Sequence, residues 1–187
     1  MTSILKVDQL QDSGGNAIIT SDGAGNITPA SAFATTNGIT EADQWRLTAN
    51  ITSDTSPITS NLERVDNTGF GYIGTGMSVS SGIWTFPSTG IYLIRVIGNY
   101  STVAGDNAVI DINITTDNSS YTQVSVADEG SGNSLSSKSV CEFLFDVTDT
   151  ANCKVKFNAF SIAAGTIIYG NTDRNDTSFT FIRLGDT

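Results

Sequence analysis

Residues 82–100 read GIWTFPSTGIYLIRVIGNY, and this stretch decides the fold. A short strand over 83–86 runs into a Pro87-Ser88-Thr89-Gly90 turn, and a longer strand follows over 91–100. Side chains alternate across a strand, so a sheet with one wet face shows a polar residue at every second position. Here Tyr92, Ile94, Val96 and Tyr100 share one side, while Ile91, Leu93 and Ile97 share the other with Arg95. A strand apolar on both sides is either sandwiched inside its own domain or packed against another subunit.

Outward from this stretch, short apolar alternations recur between turns rich in Gly, Asn, Asp and Ser. The expected strands are 45–51, 58–65, 77–79, 83–86, 91–100, 108–115, 121–126, 138–147, 153–160 and 177–184. Ten short strands with no long segment of helical period indicate an all-β sandwich. Residues 128–137 (DEGSGNSLSS) read as a polar loop.

The chain has 187 residues, 39% hydrophobic and only 15% charged, so Ser, Thr, Asn and Gly must cover much of its surface. That length suits one domain of ~100–150 residues plus an appendage. A formal net charge of −10 argues against nucleic acid or an anionic membrane as partner, because both repel an acidic surface. The chain has no His, which removes the commonest general base, the usual nucleophilic triads and the commonest metal ligand. The start, Met1-Thr-Ser-Ile-Leu-Lys6, lacks a basic segment followed by an apolar run, so no secretory signal is expected. No membrane insertion is expected either, since Arg95 breaks the longest apolar run and a spanning helix needs ~20 such residues.

Cys141 and Cys153 head two alternating segments around 148–152, which reads as a hairpin turn. If Val147 faces Cys153 in that hairpin, the two thiols lie roughly 20 Å apart, far beyond bridging range. Two buried, unbridged thiols are expected.

The first forty residues differ in kind. They hold too few bulky apolar groups for a core of their own. They do carry a hairpin signal, 17–20 and 26–28 around Ser21-Asp-Gly-Ala-Gly25. Ile4, Leu5, Val7, Leu10, Ile18 and Ile19 also need dry surroundings. The expectation is an ordered arm, 1–40, that docks on another protein or on its own copies, ahead of a head spanning 41–187.

Several marks stand in a fixed order through the head. Gln44-Trp-Arg-Leu-Thr-Ala-Asn50 leads to Pro57-Ile58 and to Asn61-Leu-Glu-Arg-Val65. Then come Gly82-Ile-Trp-Thr-Phe-Pro87, Gly90-Ile-Tyr92 and the closing Ser178-Phe-Thr-Phe-Ile-Arg-Leu184. In these marks the head resembles the complement one-q and tumour-necrosis-factor (TNF) jelly-roll superfamily. The resemblance implies a ten-strand jelly roll assembled as a homotrimer, with the strands over 91–100 and 177–184 lining the contact. Ile91, Leu93, Ile97, Phe179 and Phe181 are then the expected interface residues. A second resemblance, carried by ILKVDQLQDSGGNAIITSDGAGNIT (4–28) and FIRLGDT (181–187), is to virion fibre and decoration proteins of tailed phages. It implies a protein on the virion surface, anchored to other virion proteins by its arm.

Chemistry-bearing patterns are sparse. Asp106, Asp111, Asp117, Asp128, Glu129, Asp146, Asp149, Asp173 and Asp176 are scattered. Asp173-Arg-Asn-Asp176 and Asp128-Glu129 each offer part of a calcium site, but neither has the spacing of a loop that gathers ~6–8 oxygens. The Gly-rich runs 69–76 and 23–25 precede no helix and no Lys-Ser/Thr pair, so they are not phosphate loops. Phe70, Tyr72, Tyr121 and Tyr169 lie in or near loops as candidates for contact with a host surface glycan or protein. Together these readings give a non-enzymatic, cofactor-free virion protein serving host attachment or particle stabilisation. The alternatives are a secreted-type ligand or matrix module of the same fold, and a small carbohydrate-active tail enzyme.

Overall fold

The computed structural model describes residues 9–29, 38–130 and 136–187. Among them every regular element is a strand, and none is a helix able to cross a membrane. The chain divides into two compact units, Met1–Gly38 and Ile39–Thr187.

The first unit is an antiparallel meander of β1 (Gln9–Gln11), β2 (Ala17–Ser21) and β3 (Ile27–Pro29). The hairpin signal thus extends by one strand. One kind of turn closes both connections. Asp12 Oδ1 accepts from the Gly14 and Asn16 amides at 2.8 and 2.9 Å, and Oδ2 accepts from Asn16 Nδ2 at 2.9 Å. Asp22 repeats this with the Ala24 and Asn26 amides at 2.7 and 3.1 Å and with Asn26 Nδ2 at 2.5 Å. Asn16 lowers the Asp12 pKa and Asn26 lowers that of Asp22, since each amide side chain donates to the ionised carboxylate.

The second unit is a sandwich of two antiparallel sheets. The first runs β11 (Ser136–Val147), β8 (Gly90–Ser101), β14 (Ser178–Gly185), β4 (Ala42–Leu47) and β5 (Leu62–Arg64), with β13 (Ile167–Ile168) pairing the end of β8. The second runs β10 (Thr122–Gly130), β9 (Asn107–Thr115), β12 (Lys154–Phe160), β7 (Ile83–Thr85) and β6 (Ser78–Ser80). Most neighbours are not consecutive in the chain, so the connections cross between sheets as in a jelly roll.

Inward-facing side chains of both sheets form one core. Trp84, Phe157, Phe179 and Phe181 meet at its centre, with Phe157 and Phe179 ring centroids 4.7 Å apart and Trp84 and Phe181 5.1 Å apart. Tyr100 ties the sheets together, its hydroxyl donating to the Ala127 carbonyl at 3.0 Å. Its ring lies where a Cβ on Gly98 would sit, so glycine leaves the Tyr100 ring in place and any larger residue at 98 would displace it.

Three expectations need correction. The segments headed by Cys141 and Cys153 are not a hairpin: β11 pairs β8 in the first sheet, and β12 pairs β9 and β7 in the second. Both thiols still face the core from opposite sheets and are free. Asp128 and Glu129 do not lie in a loop, since β10 continues through Gly130 opposite Val109 and Ala108. The third concerns the interface residues.

Candidate oligomerisation face

Phe179 and Phe181 cannot line a contact between copies, because they are 0% and 1% exposed inside the chain's own core. Alternation along β14 turns Thr180 and Ile182 outward instead. On β8 the outward set is Ile91, Leu93, Arg95 and Ile97, with the three apolar members half-buried.

Strand registry assembles these positions into rows across the outer face of the first sheet. Leu144 on β11 stands beside Leu93, Leu93 beside Ile182, and Ile182 beside Ala42. Ala42 in turn exchanges backbone bonds with Ile73, beyond the edge of β4. At ~4.8 Å between neighbouring strands this apolar row is roughly 19 Å long. Leu144 and Ile73 at its ends are 58% and 47% exposed. A second apolar pair, Val140 and Ile97, lies four residues along the strands.

Between the rows runs a polar band, Glu142, Arg95, Thr180 and Gln44 in strand order. Its members satisfy one another. Arg95 Nε donates to Glu142 Oε2 at 2.9 Å, and Gln44 Nε2 donates to Thr180 Oγ1 at 2.9 Å. A polar group costs free energy on burial chiefly when it is left unpaired. The charges of the central band are therefore already paired and can be covered with little penalty, whereas Lys138 and Asp146, on the same face of the edge strand β11, lie at its margin. Phe70, half-buried, borders the same face in a groove with Ala42, Gln44, Thr180 and Ile182.

Flanking the band, Arg46 is 1% exposed and bonds Glu63, Asp66 and Asn67. Asp43, 4% exposed, accepts from Trp45 Nε1 at 2.8 Å, the Met77 amide at 2.8 Å and Arg64 Nε at 3.0 Å. These bonds fasten β4 to β5 and to the approach to β6. Arg64 is held between the Trp45 and Tyr72 rings, 5.0 and 4.7 Å from their centroids.

The expected recognition aromatics do not converge. Tyr72 covers Arg64 beside the first sheet, whereas Tyr121 stacks on Lys156 of the second at 4.5 Å. Tyr169 is half-buried, and its amide donates to the Asn99 carbonyl. Asp176 is paired with Arg174, and among the described residues no group of three or more His, Cys, Asp or Glu is placed to hold a metal ion.

The strand order of the two sheets admits a direct comparison with solved folds. The head has the TNF-like jelly-roll fold. Murine APRIL at pH 5.0 superposes with a TM-score of 0.57 at 13% identity, covering 77% of this chain and 99% of that one. The Eiger TNF of S. frugiperda gives 0.57 at 11% identity, covering 78% and 93%. The phage PRD1 vertex protein P5 gives 0.51 at 16% identity, covering 80% and 100%. No family model matches the chain, and no curated protein matches its sequence.

Sequence reading missed Ile73, Val140, Leu144 and Ile182. The signal for Leu144 was present: in Glu142-Phe-Leu-Phe-Asp146 the outward leucine stands between two acids.

Proposed function

We propose that this chain is a non-enzymatic structural protein of a phage virion, with a homotrimeric jelly-roll head displayed on the particle surface. The observation that carries the assembly is the outer face of the first sheet, where an apolar row five residues wide runs beside an internally paired polar band. Contiguous exposed apolar area of this kind marks an interaction surface. Leu144 and Val140 lie on the edge strand β11, while Leu93 and Ile182 lie at the centre of the sheet. An edge of one copy against the centre of the next is a heterologous contact, which closes into a ring when the rotation suits. The trimeric number comes from the resemblance to TNF-type proteins, and the virion setting is supported by the likeness to the PRD1 vertex protein. The arm, 1–40, takes the anchoring role, with host attachment or particle stabilisation left to the head. Of its expected anchoring residues, Ile4, Leu5 and Val7 lie outside the described residues.

Sedimentation of the full chain tests the assembly. A single species of three times the 19.7 kDa chain mass is expected, falling to one chain mass in Leu144→Lys, whose side chain is too exposed to matter for folding. A wild-type species near 19.7 kDa overturns the trimer. Mass spectrometry of purified particles tests the setting, which falls if the chain is absent from them. A free ligand module is the second reading, favoured by the likeness to APRIL and Eiger.

A further inference from the structure

The meander of the first unit is amphipathic. Registry puts Leu10 beside Ile19, and Ile27 beside Ser21, so Leu10, Ile19 and Ile27 share one face. Gln9, Thr20 and Thr28 take the other, joined by Ile18. The apolar trio is 50%, 38% and 68% exposed. A small sheet of such short strands needs cover on its apolar face to be stable in water. Among the described residues this face holds no charged side chain, because Asp12 and Asp22 sit in the turns at opposite ends, each closed on its own Asn. A charged partner finds nothing to read there. What complements a small uncharged apolar patch is another like it.

We propose that this face packs against the same face of its two partner copies, making the meander a second trimer contact in addition to the head. The inference rests on the trimeric reading of the head. Given that reading, the stretch from Pro29 to Ile39 spans at most about 36 Å even fully extended. Three meanders so tethered meet at an effective concentration on the order of millimolar. A patch too weak to associate in free solution associates under that tether. The anchoring surface then falls to the Ile18 side of the sheet.

The test places one new thiol in the full chain. Ile19→Cys puts sulfur on the apolar face, and Thr20→Cys puts it on the opposite face of the same strand as control. The native Cys141 and Cys153 are buried and do not compete. Under mild oxidation Ile19→Cys is expected to form covalent dimers about tenfold faster than Thr20→Cys, because the tether serves both thiols alike and only residue 19 lies in the proposed contact. A threefold axis leaves one thiol of three unbridged, so conversion stops near about two-thirds of the chains. Equal rates for the two variants in a sample that sediments as a trimer overturn this proposal alone. A sample that sediments as single chains removes the trimeric reading and this inference together. Hydrogen exchange on the unmodified chain is the second measurement. Protected amides at Ile19 and Thr20 in the purified trimer, lost in Ile27→Asp while the trimer mass holds, support self-contact. Unprotected amides in the purified wild-type trimer overturn it and point to a different virion protein as the cover.

Discussion

Asp43 shows how one buried carboxylate organises a sheet corner. Its acceptors serve Trp45, Arg64 and the Met77 amide, so three elements lose a shared fastening when it is removed. Asp43→Ala takes the carboxylate from Arg64, which keeps the Met77 carbonyl, and leaves the Gln44, Trp45 Nε1 and Met77 N–H groups without this acceptor. Breaking a buried pair in this way costs about 3–5 kcal/mol, and the low end applies because Arg64 is 31% exposed. The urea midpoint is expected to fall accordingly, with Asp43→Asn losing less because it keeps one acceptor oxygen. The cysteines offer a second check. Burial pushes the Cys141 thiol up to about 12, and Cys153 is 0% exposed. Since the thiolate is the reactive form, neither is expected to react with a maleimide at pH 8 until the protein is denatured, when both react. Labelling of the native protein contradicts the core placement.

Turns are the acid-sensitive elements. The Asn16 and Asn26 amides hold the Asp12 and Asp22 carboxylates below their usual pKa, and the Ser120 amide, with the Thr115 hydroxyl, does so for Asp117 in the head. A carboxylate whose folded pKa is depressed contributes stability that is whole above its unfolded pKa and lost as pH falls through the folded one. Two such turns close the small meander, so its amide signals are expected to collapse below about pH 4 while those of the β8 core persist. NMR spectra recorded from pH 7 to pH 2.5 check the order of loss, and simultaneous collapse refutes it. Strand existence was legible in the sequence wherever alternation was clean, as along 138–147 and 153–160. Strand partnership was not. The link between β11 and β12 is short enough for a hairpin, and nothing in its residues reveals that the chain changes sheet. The face of β14 was also misassigned, because Phe179 and Phe181 alternate with Thr180 and Ile182, and the bulkier pair looked suited to an interface. Only the packing of Trp84 and Phe157 against the two Phe rings decides the parity.

For the whole molecule, assembly separates cleanly from folding. Leu93→Asp or Leu144→Asp changes an outward side chain, so each variant is expected to remain folded yet sediment as single chains. Phe179→Ala, by contrast, empties core volume and is expected to cost about 3–5 kcal/mol of unfolding free energy. Thermal melts and sedimentation on the same samples distinguish the two classes; a Leu144→Asp chain that stays trimeric removes the face from the contact. The alternation of apolar row, paired band and apolar row also acts as a password. A related chain whose band falls one row higher would press a leucine onto the Arg95–Glu142 pair and strand its own charge against Leu93, and mismatches of that kind exclude wrong partners more strongly than matched contacts attract right ones. Two such chains made side by side would sort like with like without a chaperone to separate them.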